Sequence, residues 1–237
     1  MSLRLGALCI DANDPRRLTE FWAGLLRREI GDDGVTIKPS TGVEFDIVFR
    51  PTSTPKAGPN QMHLHLTSSS ADDQRATVSR ALELGGRHLD VGQRPEEGHV
   101  VLADPEGNEL CVIEPGNAFL AGCGFLGELA CDGTREVGLF WSDALGWPLL
   151  WDQDEETAVQ SPAGGTKIAW GGPPVRPKTG KNRMHLHLAP AGTSLELEVD
   201  RLLARGATRV DIGQGDVPWV VLADPDGNEL CLVDHPR

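Results

Sequence analysis

A chain of 237 residues is longer than one ordinary domain and fits one or two compact ones. With 39% hydrophobic and 24% charged residues it can bury a sizeable core, which excludes disorder as its general state. Thirty-five acidic against twenty-two basic residues leave a formal charge of −13, so phosphate backbones and anionic lipid surfaces are repelled, and neither nucleic acid nor membrane is an expected partner.

The opening MSLRLGALCIDANDP has too short an apolar run for a signal peptide, and no stretch reaches the length of a membrane span, so a cytoplasmic location is expected. Residues 5–12 form an apolar run suited to a buried strand. Asn13, Asp14 and Pro15 then supply a helix cap with proline at the first helical position. Leu18, Phe21, Trp22, Leu25 and Leu26 follow at i, i+3, i+4, i+7 and i+8, one apolar stripe that predicts a helix lying on a sheet. Residues 35–37 and 45–49 read as strands around a Pro-Ser-Thr-Gly turn, and a further strand begins at Met62. A second helix runs through Val78, Ala81 and Leu82 to Gly85 and Gly86, where glycine suits a left-handed cap. Asp104, Pro105, Glu106 and Gly107 have turn-forming order, which predicts a hairpin with strands on both sides.

The same series then repeats. NQMHLHL at residues 60–66 returns as NRMHLHL at 182–188, and VVLADPEGNELC at 100–111 returns as VVLADPDGNELC at 220–231. Phe21, Trp22 and Leu26 answer Phe140, Trp141 and Leu145, and the second-half counterpart of the later helix carries Leu195, Val199, Leu202 and Leu203 before Gly206. The small, uncharged stretch PGNAFLAGCG, residues 115–124, is the natural linker, so two domains are expected, 1–117 and 118–237. Five cysteines without a CxxC pair, Cys9, Cys111, Cys123, Cys131 and Cys231, are expected to be reduced thiols.

Three duplicated motifs, FWxxxL on the first helix, PKxGxNxxH at residues 55–63 and 177–185, and ADPxGNELC on the hairpin, make the chain resemble the vicinal oxygen chelate superfamily of glyoxalases, bleomycin-resistance proteins and extradiol dioxygenases. The resemblance implies an α+β fold, a tandem duplication of a glyoxalase-like domain, each built from paired βαβββ modules that form a cupped sheet with helices on its outer face and a ligand in the cup. Metal-dependent members place His or Glu on the first and last strands of each module. Counted from Asp14 and Asp104, those positions fall here at Ala7 and Cys111, and in the second half at Leu126 and Cys231. His63 and His185 survive. The strand before them offers Glu44 or Asp46 in the first half and no acid in TKIAW of the second. No metal and no cofactor are therefore expected.

His63 and His65 lie two apart on a strand and point to one face, as do His185 and His187. With Cys111 and Cys231 they are either hydrogen-bonded pocket residues or, for His63, His65 and Cys111, ligands of a zinc-like ion, and the first reading is preferred because the carboxylates of a hard-metal chelate are missing. A thiol activated by a neighbouring imidazole is a further alternative for Cys111. Trp147, Trp151, Trp170 and Trp219 are concentrated in the second half and suggest that its cup is the better site for a flat or cationic ligand. Lys56 and Lys178, in matching loops, are candidates to hold an anionic group. The function that follows is binding of a small organic molecule without a metal, sequestration as in bleomycin-resistance proteins being one form. A metal-dependent lyase, isomerase or dioxygenase, or a metal-free enzyme using pocket His or Cys, remains the alternative. A monomer is favoured over a homodimer, since a tandem chain can supply within itself the two modules that a cup needs.

Overall fold

The computed structural model describes residues 3–94 and 96–234. The first half runs β1 (Leu3–Ala12), α1 (Pro15–Leu26), β2 (Thr36–Ile37), β3 (Asp46–Pro51), β4 (Met62–Leu66), α2 (Ala71–Glu83), β5 (Arg87–His88), β6 (Val100–Ala103) and β7 (Glu109–Val112). The second runs β8 (Leu126–Cys131), α3 (Arg135–Leu145), β9 (Leu149–Gln153), β10 (Glu156–Val159), β11 (Lys167–Trp170), β12 (Met184–Pro190), α4 (Leu195–Ala204), β13 (Thr208–Arg209), β14 (Trp219–Ala223) and β15 (Glu229–Val233). None of these helices is long and apolar enough to cross a membrane.

The helix signals act where the sequence puts them. Asp14 accepts the backbone N–H of Arg17 with Pro15 at the first helical position, and Thr134 caps α3 through the N–H of Val137. The apolar stripe of α1 is buried, with Trp22 fully enclosed. Gly138 lets α3 lie close on β10, because a Cβ there would meet the Thr157 hydroxyl at 1.9 Å. On α2 the inward face is narrower than its pattern suggests: Ala81 is buried, whereas Leu82 points to solvent.

Four modules form two sheets, and each sheet draws on both halves of the sequence. The seven-stranded sheet has the order β13-β14-β15-β12-β1-β3-β2, joining the fourth module to the first. The eight-stranded sheet has the order β5-β6-β7-β4-β8-β11-β10-β9, joining the second module to the third. The seams are the antiparallel pairs β1 with β12 and β4 with β8. The fold is the tandem α+β arrangement the repeat implies, but a cup within one half is not what forms. The first and second modules of a half stand in different sheets, and each finds its partner across the linker.

Within each half, the two sheets are fastened to each other. The indole N–H of Trp22, on a helix packed against the seven-stranded sheet, donates at 3.1 Å to Asp104 in the hairpin of the eight-stranded sheet. Trp141 does the same in reverse, donating to Asp224 at 3.0 Å. The variable acid of the hairpin acts beside it. Glu106 accepts the backbone N–H groups of Asn13 and Asp14 ahead of α1, and Asp226 accepts from the N–H and hydroxyl of Thr134 ahead of α3. The turns close through Gly107 and Gly227 at φ +90° and +85°. One continuous core holds Trp22, Trp141 and the inward faces of both sheets.

Candidate functional site

Alternation along β4 sends Leu64 and Leu66 into the core and leaves His63 and His65 on the cup face of the eight-stranded sheet. His65 stands opposite Cys111 on β7 and opposite Glu128 on β8, and His63 stands opposite Ala130. Nδ1 of His65 is 2.7 Å from the Glu128 carboxylate, and its Nε2 is 2.8 Å from Nε2 of His63. Burial disfavours charge on His65, but hydrogen bonds to Cys111 and Glu128 and the Glu128 charge outweigh it and raise its pKa to about 9. His63 moves the other way, to about 3, through burial and the neighbouring His65. The arrangement that satisfies both contacts is a charged His65 donating from one nitrogen to Glu128 and from the other to a neutral His63.

Glu128 is the residue that counting missed. A bulge at the seam pairs Leu66 with Leu126 but His65 with Glu128, so Gly127 is the extra residue and Glu128 turns into the cup. The same irregularity lies between Leu5 and Ala7, where Ala7 faces His187. The counterpart of Ala7 is therefore Glu128, not Leu126. A Gly-Glu pair one step past Leu126, matched to Gly6 and Ala7, was the signal available.

A cavity of about 440 Å³ opens over this floor, lined by His63, Glu128, Trp151, Trp170, Phe119 and Asp132 among others. Phe119 comes from the linker, which folds back so that Leu120 packs on Val101, Cys111 and Ile113. Phe119 meets Trp151 edge-on at 6.1 Å between centroids, and the Lys167 ammonium lies 4.7 Å from the Phe119 ring centre. Trp170 also stacks on Trp141 at 6.4 Å.

The remaining tryptophans are elsewhere. Trp147 is half-buried against the core just after α3, and Trp219 stands on β14 of the seven-stranded sheet. The four indoles thus do not share one cup; Trp151 and Trp170 join His63 and His65 of the first half. Lys56 and Lys178 do not await an anion, because they pair with Glu109 at 2.7 Å and Glu229 at 2.5 Å. Glu44 accepts backbone N–H groups of Ser40 and Thr41, and Asp46 faces Lys38 at 3.4 Å.

The cup face of the seven-stranded sheet carries His185 and His187 on β12, Cys9 opposite His185 on β1, and Cys231 opposite His187 on β15. The two imidazoles meet Nε2 to Nε2 at 3.1 Å, and Nδ1 of His185 is buried without a hydrogen-bond partner. Burial, then Arg50 and Lys181, lowers His187 to about 4, and burial, then the neighbouring His187, takes His185 well below its ordinary value. Burial pushes the thiols of Cys9 and Cys231 up to about 12.

The sequence matches the model of the glyoxalase-like domain twice, over residues 7–113 and 128–233. The chain belongs to the glyoxalase-like family. Glyoxalase I from Zea mays is similar in structure at 14% identity and a TM-score of 0.67, covering 98% of this chain and 92% of that one. A candidate dioxygenase from Bacillus subtilis is similar at 16% identity and a TM-score of 0.59, covering 100% of this chain and 86% of that one. At these identities the likeness is one of fold. No curated protein sequence matches the chain significantly.

For a glyoxalase-like protein the question is whether a chelated hard metal fits. It does not fit the floor of the eight-stranded cup, where the one carboxylate beside the imidazoles, Glu128, is hydrogen-bonded to His65. Nor does it fit the seven-stranded cup, where Ala7 replaces that acid and Asp46, beside Ala7 on β3, faces Lys38 at 3.4 Å.

Proposed function

We propose that this glyoxalase-like protein binds a small organic molecule, without a metal, in the cup of the eight-stranded sheet. The observation that carries the reading is the cavity of about 440 Å³, which has an aromatic wall of Trp151, Trp170 and Phe119 above the polar chain Glu128, His65, His63. That volume suits a ligand of modest size, and the combination suits a flat ring system with one polar edge. The ring packs against the wall, and the edge meets His63, which lines the cavity. Of the two acids on the lining, Asp132 is paired with Arg176 at 2.8 Å, and Glu156 is left to favour a neutral or cationic molecule over an anion.

A second reading has its own observation. A neutral His63 whose Nε2 accepts from charged His65 carries its proton on Nδ1, so it can give that proton to a bound molecule and take another from His65, the part of a general acid. Acid-base chemistry on the bound molecule is the enzyme form of the same site.

The experiment titrates a panel of flat heteroaromatic and cationic small molecules against the full chain by tryptophan fluorescence. Binders should quench emission, and Trp151→Ala should weaken the best of them about 2- to 12-fold, the equivalent of one aromatic contact. Retention of full affinity by both Trp151→Ala and His63→Ala would remove the cup from consideration.

A further inference from the structure

The two cups hold the same His-x-His pair, yet only one of them satisfies it. In the eight-stranded cup both nitrogens of His65 have partners, and the carboxylate of Glu128 balances its charge. In the seven-stranded cup no carboxylate among the described residues is hydrogen-bonded to either imidazole, and Nδ1 of His185 is buried with no partner among them. An unpartnered buried polar atom costs free energy, and a bound group is one way to satisfy it. The strand facing that pair supplies something the other cup lacks. Cys9 stands where the eight-stranded cup has Ala130, and a ligand-bearing atom from each of Cys9, His185 and His187 lies within 4.8 Å of the others; His63, His65 and Cys111 are equally close in the other cup, but there Glu128 already engages His65.

We infer that Cys9, His185 and His187 form a binding site for a soft or borderline transition-metal ion such as zinc, with Cys231, outside that group of three but opposite His187, as the donor that would have to move in to complete it. Thiol and imidazole are the donors such ions take, whereas magnesium and calcium want oxygen. Three of the four are enclosed, Cys9 at 0%, Cys231 at 2% and His185 at 5% exposure, and His187 is half-buried. Cys231 is opposite His187 on the adjacent strand, and Cys9 and Cys231 are near enough to influence each other's charge. On binding, each thiol releases its proton to solvent, so a divalent ion with two thiolates and two neutral imidazoles carries no net charge. The Arg50 guanidinium acts against the rise of the Cys9 pKa and would favour its thiolate. His185 and Cys231 stand at positions the family resemblance assigns to ligands, whereas Cys9, two residues past the first-strand position, and His187 are this chain's own contribution. The site is separate from the proposed ligand cavity and does not depend on it.

The test is zinc and cobalt loading of the purified full chain, read by elemental analysis, by the thiolate-to-cobalt absorption band and by melting temperature. About one ion per chain is expected, with a thiolate-to-cobalt band and a raised melting temperature. Cys9→Ser and His187→Gln should each weaken binding at least tenfold, while Cys111→Ser and His63→Gln leave it unchanged. His187→Gln, at a half-buried position, keeps the test open should Cys9→Ser fail to fold. A chain that retains no ion and shows no cobalt band overturns the inference. So does an ion that survives Cys9→Ser and His187→Gln, or one that is lost on His63→Gln, which would place it in the other cup.

Discussion

The seven-stranded and eight-stranded cups are built on one plan, with His-x-His on the strand at the seam, a cysteine on the next strand, and a facing strand that enters through a glycine bulge. They differ on that facing strand. Where one cup presents Ala7 and Cys9, the other presents Glu128 and Ala130. One carboxylate and one thiol, exchanged between equivalent positions, turn the same pair of imidazoles either into a charged, hydrogen-bonded chain under an open cavity or into an enclosed cluster of neutral donors. Duplication kept the frame and divided the chemistry.

The largest expected effect tests the frame. Trp22→Ala and Trp141→Ala should each cost about 3 to 5 kcal/mol. Because each indole sits in the shared core and bonds a hairpin of the other sheet, denaturant unfolding of either variant should remain a single transition. Two separated transitions would mean that the sheets are independent and the comparison is between two domains.

The next tests the difference. His65 is faced by Glu128 from β8, Cys111 from β7 and His63 on its own strand. Its folded pKa of about 9 lies above the ordinary 6.5, so the stabilisation it brings is complete below about pH 6.5 and declines as pH rises through 9. Glu128→Gln keeps an acceptor but removes the charge. It should cost about 1 to 3 kcal/mol near neutral pH and abolish the alkaline loss of stability, measured as melting temperature from pH 6 to 10. An unchanged slope in Glu128→Gln would show that the carboxylate does not hold the proton.

The smallest effect lies at the helix starts, where Glu106→Ala and Asp226→Ala should cost about 1 kcal/mol each. Glu106→Ala should be the more costly of the two, since it also leaves Arg183 without its carboxylate at 2.5 Å. Equal losses in urea denaturation would make the two fastenings equivalent.

The sequence by itself determined the repeat, the four modules, the buried helix stripes with Trp22 and Trp141, the hairpin turns, and the fact that His63 with His65 and His185 with His187 share a face. The repeat shows in the matching of the two halves, and the rest is local: periods of two and 3.6, caps and turn residues act within a dozen positions. Tertiary structure decided which modules share a sheet, that Glu128 rather than Leu126 enters the cup, that Phe119 of the linker closes over it, and that Trp219 belongs with the other sheet. Those depend on partners far apart in the chain, and a single bulged glycine reverses which face a residue takes without changing the apolar pattern around it.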